Sequence, residues 1–121
     1  MIDSTVDNRS DLIASDRVEG TAVYNRQGEH LGRITNFMVE KRSGQARYAT
    51  LSFGGFLGIG SDHYPLPWSM LNYDPDKGGY VIDLDKQVLI NAPRFAADQR
   101  PDYSDAYGRD VHHYYGLIYP W

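Results

Sequence analysis

The 121 residues suit one domain of ordinary size, and 41% hydrophobic against 23% charged side chains excludes global disorder. No cysteine is present, which excludes disulfide scaffolds, thiolate metal sites and cysteine nucleophiles. The net charge is −4, the first 60 residues balancing and the remainder carrying the excess, so the chain lacks the basic footprint that phosphate backbones require.

Met1-Ile2-Asp3-Ser4 has neither the basic nor the apolar region of a secretory signal, and no run approaches the ~18 apolar residues of a membrane span. A soluble, cytoplasmic protein is the expectation. Residues 1–11 read as a polar leader. A strand is predicted over Val18 to Asn25, rich in β-branched and aromatic residues, closed by the turn Asn25-Arg26-Gln27-Gly28. A second strand runs from about Leu31 to Lys41, a turn follows at Arg42-Ser43-Gly44-Gln45, and a third strand covers Ala46 to Phe53. Three strands so joined make an antiparallel meander. Arg33, Lys41, Arg42 and Arg47 fall in this region and read as a solvated face.

The second strand is apolar on both parities, with Leu31, Phe37 and Val39 at odd positions and Ile34 and Met38 at even ones. A strand with one wet face should be polar on one parity. Either a bulge switches the parity, or the tail, a helix or another subunit covers the outer face. The expectation here is cover.

Gly54-Gly55-Phe56-Leu57-Gly58-Ile59-Gly60 is a glycine loop that carries apolar anchors. Tyr64-Pro65-Leu66-Pro67-Trp68 reads as an edge strand leading into a short helix, with Pro67 in its first turn. Asp74-Pro75-Asp76-Lys77-Gly78-Gly79 is a turn before a strand at Tyr80 to Leu84. Asp85 is placed to cap a helix over Lys86 to Asn91, which Pro93 ends. Residues 98–121 hold Tyr103, Tyr107, Tyr114, Tyr115, Tyr119 and Trp121 among aspartates and few aliphatics. Aromatics are costly to leave wet, so this extension is expected to pack on the sheet or on a partner.

No catalytic set emerges. Gly55 and Gly60 have the spacing of a P-loop, but Ser61-Asp62 stands where lysine and a hydroxyl residue would hold phosphate. His112 and His113 are adjacent and diverge, while His30 and His63 each stand beside one acid, short of the three or four convergent ligands of a metal site. Asp74, Asp76, Asp83 and Asp85 are accounted for by turns and caps. No cofactor is expected.

In order and spacing, the chain from about Leu12 to Phe95 resembles the PRC-barrel domain family, named for the cytoplasmic barrel of the photosynthetic reaction centre H subunit. The resemblance is carried by Leu12-Ile13-Ala14-Ser15, Val18-Glu19-Gly20-Thr21, Gly28-Glu29-His30-Leu31-Gly32-Arg33-Ile34, Tyr48 through Gly60, Pro65-Leu66-Pro67-Trp68 and Tyr80-Val81. It is closest in kind to small stand-alone bacterial members. It departs from them at Asp62-His63, where they carry a lysine, so no role is drawn from a basic loop. The resemblance implies a mainly β fold: a small, strongly bent antiparallel β-barrel of about six strands over residues 12–97, with one or two short helices and the aromatic tail 98–121.

It also implies function by docking, as the H subunit barrel does on a membrane complex and the ribosome maturation factor does on a ribosomal protein. The resulting expectation is a non-enzymatic protein–protein interaction module that is homodimeric and also meets an unidentified protein, with no nucleic acid and no membrane span. Phe37, Phe56, Leu57, Ile59, Tyr114 and Tyr115 are its candidate contacts. Gly28, Gly32, Gly54, Gly55, Gly58, Gly60, Pro67 and Trp68 are its structural positions. The alternative is a small-ligand or proton-handling barrel whose mouth is formed by the glycine loop with Asp62, His63, Tyr64 and the nearby carboxylates. A pocket of roughly 300–1,000 Å³ there would favour it.

Overall fold

The computed structural model describes residues 11–53 and 62–121. The chain enters through a single helical turn, α1 (Ser15–Val18), rather than the strand expected from Val18 onward. Strand β1 (Ala22–Asn25) follows, then β2 (His30–Val39), β3 (Ala46–Phe53) and β4 (Asp62–Pro67). A 3-10 turn (Trp68–Met70) leads to β5 (Asn72–Asp74) and β6 (Gly79–Ile82). Helix α2 (Lys86–Ile90) and helix α3 (Asp105–Tyr114) complete the chain.

The β1–β2 hairpin is built on Asn25, which is 1% exposed. Its Oδ1 accepts from the N–H groups of Gln27 (3.1 Å) and Glu29 (2.9 Å), and its Nδ2 donates to Glu29 Oε1 (2.6 Å). A buried amide is tolerated only when so satisfied. Gly28 completes the turn at φ +88°, in the left-handed region.

All six strands form one sheet in the order β4-β3-β2-β1-β6-β5. The meander β1-β2-β3 is antiparallel as expected, and so are β3–β4 and β5–β6. Two points of the expected barrel are corrected. The β1–β6 pair is parallel, so the sheet is mixed. Among the described residues β4 and β5 do not pair, so the sheet is not closed. It is nevertheless strongly rolled. Laid flat, six strands would hold their outer members about 24 Å apart. The five residue steps from Pro67 to Asn72 reach at most about 18 Å. Trp68 lies in that link, its ring 5.8 Å from Phe37 on β2 and 5.8 Å from Tyr80 on β6.

The apolar pattern of β2 is explained by bulges. Against β1 the register slips between Gly32 and His30, and against β3 it slips between Ile34 and Asn36. Each extra residue reverses which parity faces inward. Leu31 and Ile34 are therefore both buried, and Phe37 packs against the core as well. The expected cover over β2 gives way to bulges, although β3 is covered. Ala49 and Leu51 face the core of the roll, while Tyr48 and Thr50 on the opposite face are also buried.

That core joins Val18, Val23, Leu31, Ile34, Leu51, Leu66, Ile82 and Leu89. Pro65 and Pro67 sit on edge strand β4, where a missing N–H breaks no ladder, with Pro67 ending the strand rather than opening the helix.

Candidate interaction surface

The outer face of β3 and β4 is roofed by the C-terminal segment. Phe95 pairs with His63 through backbone bonds of 3.0 and 2.9 Å, and their rings stack at 5.7 Å. Ser104 then caps α3, its hydroxyl accepting from Tyr107 N–H at 3.2 Å. The helix faces Tyr48 with Gly108, where an added Cβ would lie 2.8 Å from the Tyr48 hydroxyl and 2.5 Å from the Tyr119 ring. Glycine inside a helix costs about 1 kcal/mol against alanine, so its presence here is explained by this close approach.

His112, 2% exposed, fills the centre of the contact. Its Nδ1 lies 2.8 Å from the Gly108 carbonyl, and the rings of Tyr48, Tyr119 and Trp121 surround it at 5.4–5.6 Å. Gly116, at φ +74°, turns the chain back along the helix. Tyr119 thereby reaches the start of α3 and donates to Asp105 Oδ1 at 2.8 Å, and the Arg47 guanidinium lies 4.3 Å from the Trp121 ring centre. Burial pushes the Tyr48 hydroxyl up to about 12, with Tyr119 and Tyr103 adding to it, and burial likewise raises Tyr107 and Tyr115. The roof is a packed aromatic layer of neutral phenols at neutral pH.

Arg47 divides two depressions on this surface. One, of about 350 Å³, is lined by Pro67, Trp68, Leu117, Ile118, Pro120 and Trp121 together with Arg47 and His112. The other, of about 140 Å³, is lined by Met38, Val39, Glu40, Arg47, Tyr48, Tyr103 and Tyr119. Around them Ile118 is 89% exposed, Trp121 45%, Val39 42% and Met38 37%. Glu40 carries the acidic edge. The N–H of Ser43 donates to its carboxylate at 2.7 Å and, with the Ser43 side chain, holds its pKa below the ordinary value.

The residues singled out from sequence are distributed as follows. Phe37 is half-buried against Trp68. Tyr115 packs against the core, and its buried hydroxyl has no hydrogen-bond partner. Tyr114 is on the exterior, its hydroxyl donating to the Val88 carbonyl at 2.6 Å. Phe56, Leu57 and Ile59, with Gly54, Gly55, Gly58 and Gly60, lie outside the described residues. Of the expected mouth, Asp62 pairs with Arg94 at 3.5 Å, the Tyr64 hydroxyl and Arg94 both reach the Ile90 carbonyl, and His63, one residue between them on β4, faces the other side; the glycine loop of that mouth lies outside the described residues. Met38, Val39, Arg47 and Ile118 were not singled out as contacts, because single exposed apolar residues are ordinary and their grouping comes from the fold. Among the described residues no three His, Asp or Glu side chains are placed to share a metal ion, and no helix is long and apolar enough to cross a membrane.

A rolled, mixed β-sheet whose outer face is roofed by its own aromatic extension defines a small β module. The model of the PRC-barrel domain matches residues 10–89, and the chain belongs to that family. Among solved structures, it is similar to RimM from Pseudomonas aeruginosa, described as a 16S ribosomal RNA processing protein. The identity is 19% over 65% of this chain and 49% of that one, with a TM-score of 0.41. The chain thus spans about half the length of that protein. No curated protein matches it.

Proposed function

We propose that this chain is a non-catalytic protein–protein interaction module that pairs with a second copy of itself through the surface around Arg47. The observation that carries this reading is the grouping of Met38, Val39, Ile118 and Trp121, all exposed, about one guanidinium and two aromatic-lined depressions. Protein contacts are anchored by such groups: tryptophan, tyrosine and arginine beside pockets dominate binding energy. The surface also carries both charges, Glu40 and Arg47 lining one depression. A two-fold contact sets the same patch against itself, so a patch bearing both signs complements its own copy.

The test is sedimentation equilibrium of the full chain and of two variants, Ile118→Asp and Trp121→Ala, over a dilution series. Ile118 is 89% exposed, so Ile118→Asp should alter folding and melting little, whereas Trp121 is 45% exposed and packs on His112, so a melt of Trp121→Ala accompanies its sedimentation. A dimer in the native chain that weakens by about tenfold or more in each variant is expected, since hot-spot truncations cost about 2 kcal/mol. A native chain that is monomeric at high concentration, or variants that dimerise as tightly as the native chain, would contradict the reading.

A further inference from the structure

The larger depression beside Arg47 has a buried polar group in its lining. His112 contributes to that lining while only 2% exposed. A carbonyl oxygen only accepts, so at 2.8 Å from the Gly108 carbonyl it is Nδ1 that carries the ring proton. In the neutral ring Nε2 then holds the lone pair. Nε2 has no hydrogen-bond partner among the described residues, yet it is not one of the unpartnered buried atoms that are sealed from solvent. The little surface His112 keeps therefore includes this acceptor, and the depression is where the ring meets solvent.

The walls constrain what could meet it. Pro67, Trp68, Leu117, Ile118, Pro120 and Trp121 make them largely apolar. Water is a poor occupant there, because an ordered buried water makes about three hydrogen bonds. The volume is about 350 Å³, and an apolar cavity of about 150 Å³ already holds benzene, so a molecule of one or two rings fits. The indoles of Trp68 and Trp121 offer faces and edges for an aromatic guest. The Arg47 guanidinium, 4.3 Å from the Trp121 ring centre, favours an electron-rich ring over a plain hydrocarbon one.

We propose that this depression binds a small neutral aromatic molecule with one ring-borne N–H or O–H donor, of the indole or phenol class. The ring lies among Pro67, Trp68, Pro120 and Trp121, and its N–H or O–H donates to His112 Nε2. The site shares Arg47, Ile118 and Trp121 with the surface proposed for pairing, but it is complete within one copy and does not rest on pairing.

The test follows the ring nitrogen signals of His112 and the indole N–H signals of Trp68 and Trp121 by NMR in the full chain. Indole, phenol and 1-methylindole are added in turn at two protein concentrations, which separates ligand binding from pairing. Saturable shifts at these three residues with indole or phenol are expected at both concentrations. 1-Methylindole keeps the rings and loses only the donor, so it should bind about tenfold more weakly than indole. His112→Phe keeps a ring in place and removes the acceptor, so, read at the tryptophan signals, it should bind indole and 1-methylindole alike. Ser69→Trp, at an exposed position of the lining, should fill the depression and weaken indole binding by about tenfold or more with little change in the melt. If His112→Phe fails to fold, Ser69→Trp and the comparison of the two indoles in the native chain decide. Absence of saturation with both indole and phenol would overturn the proposal, as would indole binding unchanged in Ser69→Trp. 1-Methylindole bound as tightly as indole would overturn the role given to Nε2. Shifts at His112 that follow protein concentration alone, with none on adding ligand, would show a second copy filling the depression and would overturn the proposal while leaving pairing intact.

Discussion

Gly32→Ala is expected to lower the unfolding free energy by about 3 kcal/mol, the upper end for overpacking a close-packed site. Gly32 pairs with Val23 on one side, and on the other an added Cβ would drive into the Ser52 carbonyl oxygen and lie 3.1 Å from Leu51 Cδ1. A carbonyl in the β2–β3 ladder cannot swing aside as a side-chain tip can. Relief therefore requires parting strands that hold most of the core. Gly28 provides the contrast. Its surroundings are open and only its φ of +88° constrains it, so Gly28→Asn, a residue that tolerates this region, should cost well under about 1 kcal/mol. Denaturant unfolding of both variants checks the pair. Equal stabilities would show that the roll at Gly32 is looser than described.

Trp68→Ala is expected to cost about 3 kcal/mol, the lower end for removing a packed tryptophan, because one side of the ring is exposed to the larger depression. The ring touches Phe37 of β2 and Tyr80 of β6, and the backbone around it joins β4 to β5, the two outer strands of the sheet. Its loss should loosen the roll at the point where closure is weakest. Trp68→Phe, which keeps an aromatic ring between Phe37 and Tyr80, should recover most of the loss. A thermal melt of Trp68→Ala that overlays the native one would contradict this role.

Much of the fold is legible in local chemistry. The bounds of β3 coincide with the expected strand, because Gly44 and the glycines after Phe53 punctuate it on both sides. The hairpin at Asn25 and Gly28 follows from turn chemistry alone. What escaped is non-local. The parallel partnership of β1 and β6 leaves no trace in either segment's composition, since it depends on how far the sheet rolls. Gly79 reads as part of a turn, yet an added Cβ there would lie 2.6 Å from the Ala22 carbonyl, so it is the residue that lets β6 approach β1. The two-sided apolarity of β2 signalled an irregularity, but period-two reasoning does not separate a bulge from a cover without the partner strand's register. The candidate surface was legible only in its aromatics. Trp121 and the tyrosines were visible as an unusual run, whereas the grouping of Arg47, Met38, Val39 and Ile118 about them exists only once α3 lies across β3.

The central claim, that the face around Arg47 is the working surface, is tested most directly by amide hydrogen exchange of the native chain at low and high protein concentration. Added protection confined to residues 38–47 and 117–121 at high concentration, with β5 and α2 unchanged, is the predicted result. Exchange independent of concentration, or protection gained on β5 or α2 instead, would contradict it.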